Sequence, residues 1–222
     1  MKARAGQVAM PDLQFEIELW EQGLQRVVGM DEAGRGALAG PVAVGVVCLP
    51  PDPFVAHRLY GVRDSKQLNS AERASYANLI KAHALAWAVG FASNEEIDQF
   101  GIVPAVQMAA LRALEALSCE PQHILIDFFR LPQCPLPQTA LIKGDQRCLS
   151  IAAASILAKT ERDRWMTQID ALYPQYEFAT HKGYATATHL ERIRRWGACP
   201  LHRRSFAPLR SPAPPEQRQL SD

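Results

Sequence analysis

Two valine-rich runs, residues 26–30 and 42–49, flank the segment "DEAGRGALAGP", and no other feature of the chain restricts its fold as strongly. Short runs of β-branched residues favour strands. The first strand ends on two adjacent acids, Asp31 and Glu32, followed by a loop with glycines on both sides of Arg35. A carboxylate buried without a partner is costly, so this strand end needs a cation, a hydrogen-bond network or exposure at a turn. "GRGALA" also fits the Gly-x-Gly-x-x-Ala spacing of a dinucleotide loop, but that reading requires a helix next. Pro41 and "VAVGVV" give a strand instead, and two acids beside the loop would repel a pyrophosphate. The dinucleotide reading is rejected.

The rest of the chain supplies the partners for these strands. Pro11 and Asp12 open a helix with Leu13, Ile17 and Trp20 as its apolar residues and Gly23 as its end. Residues 50–68, rich in proline and turn formers, form a long loop. Asn69 with Glu72, and Ser93 with Glu96, have capping-box spacing; the first pair opens a helix through Ala84. Between them Leu85, Trp87, Val89 and Phe91 alternate as in a strand. Pro104 opens a helix with Val106, Leu111, Leu114 and Leu117 on one face. "QHILID" and "TALIK" are strands around a proline-broken loop, and helices follow over 149–172 and 186–196. This order predicts one α/β domain, a mixed sheet covered by helices, with a helical C-terminal part. The expected boundaries are a flexible stretch over 1–12, the folded domain over 13–206, and a disordered proline-rich tail over 207–222.

Five cysteines, without a Cys-x-x-Cys pair, argue against a disulfide framework or a zinc site and fit a reducing cytoplasm. The start of the chain lacks the apolar core of a signal peptide, and no apolar run approaches the ~18 residues of a membrane span. A cytoplasmic, membrane-free monomer is expected. The formal charge of +1 says nothing about a polyanionic partner, but its distribution does: residues 181–210 hold seven Lys and Arg against the single acid Glu191.

The acids fall at strand ends. Asp31 and Glu32 close the first strand, Asp127 closes "HILID", and Asp145 lies just past "TALIK". Open α/β sheets gather their sites outside the carboxyl ends of the strands. Side chains alternate along a strand, so Asp31 and Glu32 converge only if the backbone turns between or after them, a turn that Gly34 and Gly36 permit. Four acids in one pocket resist ionisation unless a cation joins them. Hard oxygen donors select Mg²⁺ or Mn²⁺, the setting of two-metal phosphodiester cleavage. A single strand-terminal Asp is more often a turn former or helix cap; the shared address of all four is what favours a site.

"VVGMDEAGRGALAGPVAVGVV" resembles the signature of type 2 ribonucleases H, and the likeness continues through "RDSKQL", "ILID", "KGDQRCLSIAAASILAKTERD", "YPQYEFATHKGYAT" and "HRRSF". The resemblance implies a ribonuclease H-like mixed five-stranded sheet flanked by helices. It also implies cleavage of the RNA strand of RNA–DNA hybrids, and cutting at single ribonucleotides embedded in duplex DNA. The family's acidic set carries over as Asp31, Glu32, Asp127 and Asp145. An enzyme that separates RNA from DNA reads the 2′-hydroxyl and duplex shape; the resemblance gives that hydroxyl to Gly34, Arg35 and Gly36, and the neighbouring deoxyribose to Tyr184. Lys66, Lys143, Lys182, Arg203 and Arg204 are candidate phosphate contacts, whereas Lys159, Arg162 and Asp163 are expected to brace the site. Phe128 and Phe129 stand where many members have Gly-Asn, which puts the shape of the loop after Asp127, and with it the substrate preference, in question; Ala37 stands where proline is common, a smaller departure. A type 3 ribonuclease H and a non-catalytic hybrid-binding protein are the alternatives; the short stretch before the first strand and "HKGY" speak against the former, four convergent acids against the latter.

Overall fold

The computed structural model describes residues 10–127 and 129–210, so the expected tail beyond Arg210, most of the N-terminal stretch and Phe128 lie outside the described residues. Its strands are β1 (Val27–Ala33), β2 (Val42–Cys48), β3 (Ala86–Ala92), β4 (His123–Asp127) and β5 (Gln138–Leu141). The helices are α1 (Gln14–Glu21), α2 (Val55–Arg58), α3 (Ser70–His83), α4 (Asn94–Phe100), α5 (Ile102–Glu115), α6 (Leu149–Asp170), α7 (Phe178–His181) and α8 (Ala187–Trp196). The sheet order is β3-β2-β1-β4-β5. β1 pairs antiparallel with β2 and parallel with β4; β2–β3 is antiparallel and β4–β5 parallel. This is the expected five-stranded mixed sheet.

Alternation along each strand divides the core. Val28, Met30, Val44 and Ile126 face α5, while Val27, Val47 and Leu125 face α6 and, beyond it, α1 and α3. α6 lies very close to the sheet because two strand residues facing it are glycines. A Cβ on Gly29 would stand 2.2 Å from the carbonyl carbon of Ser150, and one on Gly45 would stand 2.3 Å from the Ala154 oxygen. No side chain at 148 caps the start of α6. Glu16 of α1 does so instead, its Oε1 accepting the Ser150 N–H at 2.7 Å, and burial pushes the Glu16 carboxyl above its ordinary value. The first helix is therefore tied to the element that carries much of the site.

Both capping boxes form as the sequence predicts, on α3 and α4. Other boundaries move. β1 runs on through Glu32 and Ala33, which pair with Val44 and Ala43. Of the face expected after Pro104, Val106 and Leu117 are buried and Leu114 packs against the core, but the closest contact with the sheet is made by Ala105, Ala109, Ala110 and Ala113, because α5 approaches Gly90 as closely as α6 approaches Gly45. "TALIK" stops as a strand at Leu141, since Lys143 takes a left-handed conformation with φ 55°. The long loop after β2 contains α2 and a 3-10 turn over Ser65–Gln67, and the HKGY segment starts on the last residue of the short α7. Among the described residues no helix is long and apolar enough to cross a membrane.

Candidate active site at the carboxyl ends of the central strands

Parallel pairing of β1 with β4 sets Met30 opposite Ile126, so Asp31 and Asp127, one residue further on, stand side by side on the α6 face. Asp145 arrives from a third segment, the 3-10 turn Gly144–Gln146 after β5. A hydrogen bond joins the two ends: the Gly144 N–H donates to Asp127 Oδ1 at 2.8 Å. Each of the three carboxylates offers an oxygen, and these oxygens lie within 4.8 Å of one another. Burial and the charges of Glu32 and Asp127 push the Asp31 carboxyl well above the usual range. Burial, then Asp64 and Asp127, push Asp145 upward against the opposing pull of Lys66. Such a set repels itself when ionised and is relieved by a divalent cation. The donors are hard oxygens, which fit Mg²⁺ or Mn²⁺.

Glu32 does not join this group. The backbone does not turn between the two acids, so the ladder carries Glu32 to the other side of the strand, and its Oε1 lies 3.4 Å from Arg35 Nη1. Burial still raises its carboxyl, with Arg35 opposing and the charge of Asp127 adding to the rise. It therefore borders the three-carboxylate group and lines one cavity with Asp31 and Asp127. That cavity, about 240 Å³, is lined by Asp31, Glu32, Asp127, the Gly34-Arg35-Gly36 loop, Ser65, Lys66, Lys159 and Tyr184. A further acid escaped the sequence reading: Asp64, buried, whose Oδ1 accepts the Lys66 N–H at 3.0 Å. Its signal was its place in "RDSKQL", where an Asp before Ser-Lys suits a turn cap. Lys66 reaches Asp145 Oδ2 at 3.6 Å and Asp64 Oδ1 at 4.0 Å. Burial alone would lower its ammonium, but Asp64, Asp31 and Asp145 hold it above its ordinary value.

Two buried arginines hold the loops around the cavity. Gly34 turns the chain with φ 87°, and a Cβ there would fall 1.9 Å from Arg162 Nε. Arg162 donates to the Pro41, Lys182 and Ala39 carbonyls at 2.8, 3.0 and 3.1 Å. Arg203 donates to the Gly40 and Arg35 carbonyls at 3.0 and 2.9 Å. Arg203 is 0% exposed, so the expectation of a phosphate contact is corrected: its guanidinium supports the Gly-Arg-Gly loop from behind. Tyr184, half-buried, faces the cavity with Lys159 Nζ at 5.1 Å and Arg162 Cζ at 5.3 Å from its ring centre. Lys159 thus lines the site as well as bracing it, through its 2.6 Å ion pair with Asp163.

The other basic candidates stand outside the cavity. Lys182 lies in an adjoining groove with Arg73, Asp163 and Arg164, and its ammonium donates to the Ala179 carbonyl. Lys143 is exposed on the turn before Gly144. Arg204 is exposed, its backbone N–H bound to Asp98 at 2.8 Å. Arg192 pairs with Glu177, so the basic excess of residues 181–210 is smaller on the surface than in the sequence. Of the aromatic pair after Asp127, Phe129 donates its N–H to the Asp127 carbonyl at 2.8 Å and packs against the α5-side core.

The ribonuclease HII family profile matches residues 28–209. Ribonuclease HII of Myxococcus xanthus (strain DK1622) is 53% identical over 199 residues, which make up 89% of this chain and 67% of that protein. Ribonuclease H2 of Pyrococcus horikoshii OT3 superposes with a TM-score of 0.67 at 27% identity, over 83% of this chain and 95% of that one. A Bst-RNase HIII structure in complex with Mn²⁺ superposes with a TM-score of 0.64 at 25% identity, over 83% of this chain and 68% of the other. By fold and by sequence the chain belongs to the ribonuclease HII family, a family of ribonuclease H hydrolases.

Proposed function

We propose that the protein is an endonuclease that hydrolyses the RNA strand of RNA–DNA hybrids and cuts 5′ to single ribonucleotides embedded in duplex DNA. The cut leaves 3′-hydroxyl and 5′-phosphate ends. The observation that carries this reading is the meeting of Asp31, Asp127 and Asp145, from three distant segments, with oxygens within 4.8 Å. Asp31, Asp127 and Asp145, with Glu32 at their border, would hold Mg²⁺ or Mn²⁺. When bound, such ions supply an activated water and stabilise charge on the leaving oxygen. The Mn²⁺ complex of the related Bst-RNase HIII supports the choice of metal.

The chain's own groups do the rest. The Gly-Arg-Gly backbone comes close to a ribose because Gly34 and Gly36 carry no side chain, and it reads the 2′-hydroxyl. Tyr184 packs on the neighbouring sugar, the deoxyribose of an RNA-to-DNA junction. Lys66 and Lys159 face the cavity and neutralise phosphates, while Lys143, Lys182 and Arg204 serve the duplex further out. Arg162 and Arg203 set the loop that carries the reading backbone.

A labelled DNA duplex with one ribonucleotide, incubated with Mg²⁺, Mn²⁺ or a chelator, tests the proposal. One incision 5′ to the ribonucleotide is expected, dependent on the metal and absent in Asp31→Asn, which should still bind the duplex. Wild-type turnover by that variant would end the assignment. Stoichiometric protection of a hybrid without cutting would favour a non-catalytic binding protein.

A further inference from the structure

Behind Tyr184 lies a buried group of three histidines that the proposed reaction does not use. His181, His189 and His202 are 7%, 0% and 1% exposed. The His181 and His189 rings stack with centres 4.2 Å apart, and Phe178 packs edge-on against both. Their hydrogen bonds leave one arrangement of protons. His202 Nδ1 accepts the Cys199 backbone N–H at 3.0 Å, so its proton is on Nε2. That proton faces His189 Nε2 at 3.1 Å, so His189 accepts there and carries its own proton on Nδ1. From Nδ1 it donates to the Tyr184 carbonyl at 2.9 Å. His181 accepts the Gly183 N–H on Nδ1 and donates from Nε2 to the Tyr176 carbonyl at 2.7 Å. Every ring is neutral, and each nitrogen has one role.

We propose that His189, its tautomer fixed by His202, is a positioning residue for Tyr184 and so sets how sharply the enzyme prefers an RNA-to-DNA junction over a uniform hybrid. This rests on the assignment of Tyr184 to the neighbouring sugar. The chain Cys199–His202–His189–Tyr184 ties the carbonyl of the reading residue to the C-terminal segment, and that same segment supplies Arg203 to the Gly-Arg-Gly loop. The two readers of the substrate, one for each sugar, are thus referred to a common support.

The test compares kcat/KM on a single-ribonucleotide duplex and on a long RNA–DNA hybrid for wild type, Tyr184→Ala, His189→Leu and His189→Asn. Asn places an amide N–H near the position of Nδ1, whereas Leu fills the space without a donor. His189→Leu should lose junction preference by about five- to tenfold, the scale of one lost hydrogen bond, with turnover on the long hybrid little changed. His189→Asn should recover most of the preference. A folded His189→Leu that keeps the wild-type ratio, while Tyr184→Ala loses it, overturns the inference and leaves the Tyr184 assignment standing. If Tyr184→Ala also keeps the ratio, that assignment falls and the inference with it. A second measurement needs no variant that might misfold: long-range ¹H–¹⁵N spectra of the wild-type imidazoles should show His189 protonated at Nδ1 and His202 at Nε2 at neutral pH. The opposite tautomer on either ring overturns the relay.

Discussion

Arg162→Met is the substitution whose consequences the structure defines most fully. Arg162 is 0% exposed, and its guanidinium serves three carbonyls, those of Pro41, Lys182 and Ala39, at 2.8–3.1 Å. Burial alone pulls its pKa below the ordinary arginine value, with Tyr184 and Asp163 opposing. Methionine fills much of the space but offers no donor, so two buried acceptors and one half-buried one lose their partner. At about 1–2 kcal/mol for each orphaned group the loss is about 3–6 kcal/mol, less what is regained because no charge is buried. A net cost of about 3 kcal/mol remains, which for a chain of this size lowers Tm by roughly 6–12 °C. Thermal unfolding followed by circular dichroism measures it. Cleavage should fall further than stability explains, because the Ala39–Pro41 segment and Lys182 lose their common anchor. A Tm within about 2 °C of wild type would mean that the buried charge costs as much as its hydrogen bonds return, and the loop-anchoring argument would be refuted.

Asp31 has its folded pKa raised by burial and by its acidic neighbours, so the metal-free protein loses stability as pH rises through that value. Asp31→Asn should therefore raise Tm in chelator at pH 8, where the wild-type carboxylate is most strongly repelled, and a lower Tm would contradict the repulsion. His189 and His202 are held down to about 4 from 6.5, so they stay neutral when folded and take protons when unfolded. Each should cost up to about 1.4 kcal/mol per pH unit as pH falls through that window; urea unfolding at pH 7 and pH 5 should show the loss, and His189→Asn should reduce it. Gly45→Ala drives a Cβ to within 2.3 Å of the Ala154 oxygen, an obstruction by backbone that should cost about 2–3 kcal/mol and show as a lower urea midpoint.

What the sequence reveals divides by how local the cause is. Asn69 with Glu72, and Ser93 with Glu96, act within one helical turn, and both boxes form where the sequence places them. On α5 periodicity marks Val106, Leu114 and Leu117, which do meet the core, but not the alanines, whose burial depends on Gly90, a residue of another element. The end of "TALIK" depends on a single left-handed residue, Lys143, that no apolar pattern marks. Arg203 and Arg204 are adjacent and chemically alike, yet one is enclosed behind the Gly-Arg-Gly loop and the other is exposed. Only the route of the chain separates them.

The two acids at the end of β1 carry the same lesson into the site. Asp31, Asp127 and Asp145 come together because β1 and β4 run parallel in one register and the Gly144 amide holds Asp127. Strand ends marked by acids make that convergence readable. The place of Glu32 is not readable, because it turns on whether β2 continues to pair beyond Met30. It does, through Val44 and Ala43, and the period of two sends Glu32 across the strand toward Arg35. A strand one residue shorter would free the chain to turn earlier, and Glu32 could join the group. The reach of the β1–β2 ladder therefore accounts for the grouping of the Asp31, Asp127 and Asp145 oxygens within 4.8 Å while Glu32 stands beside them.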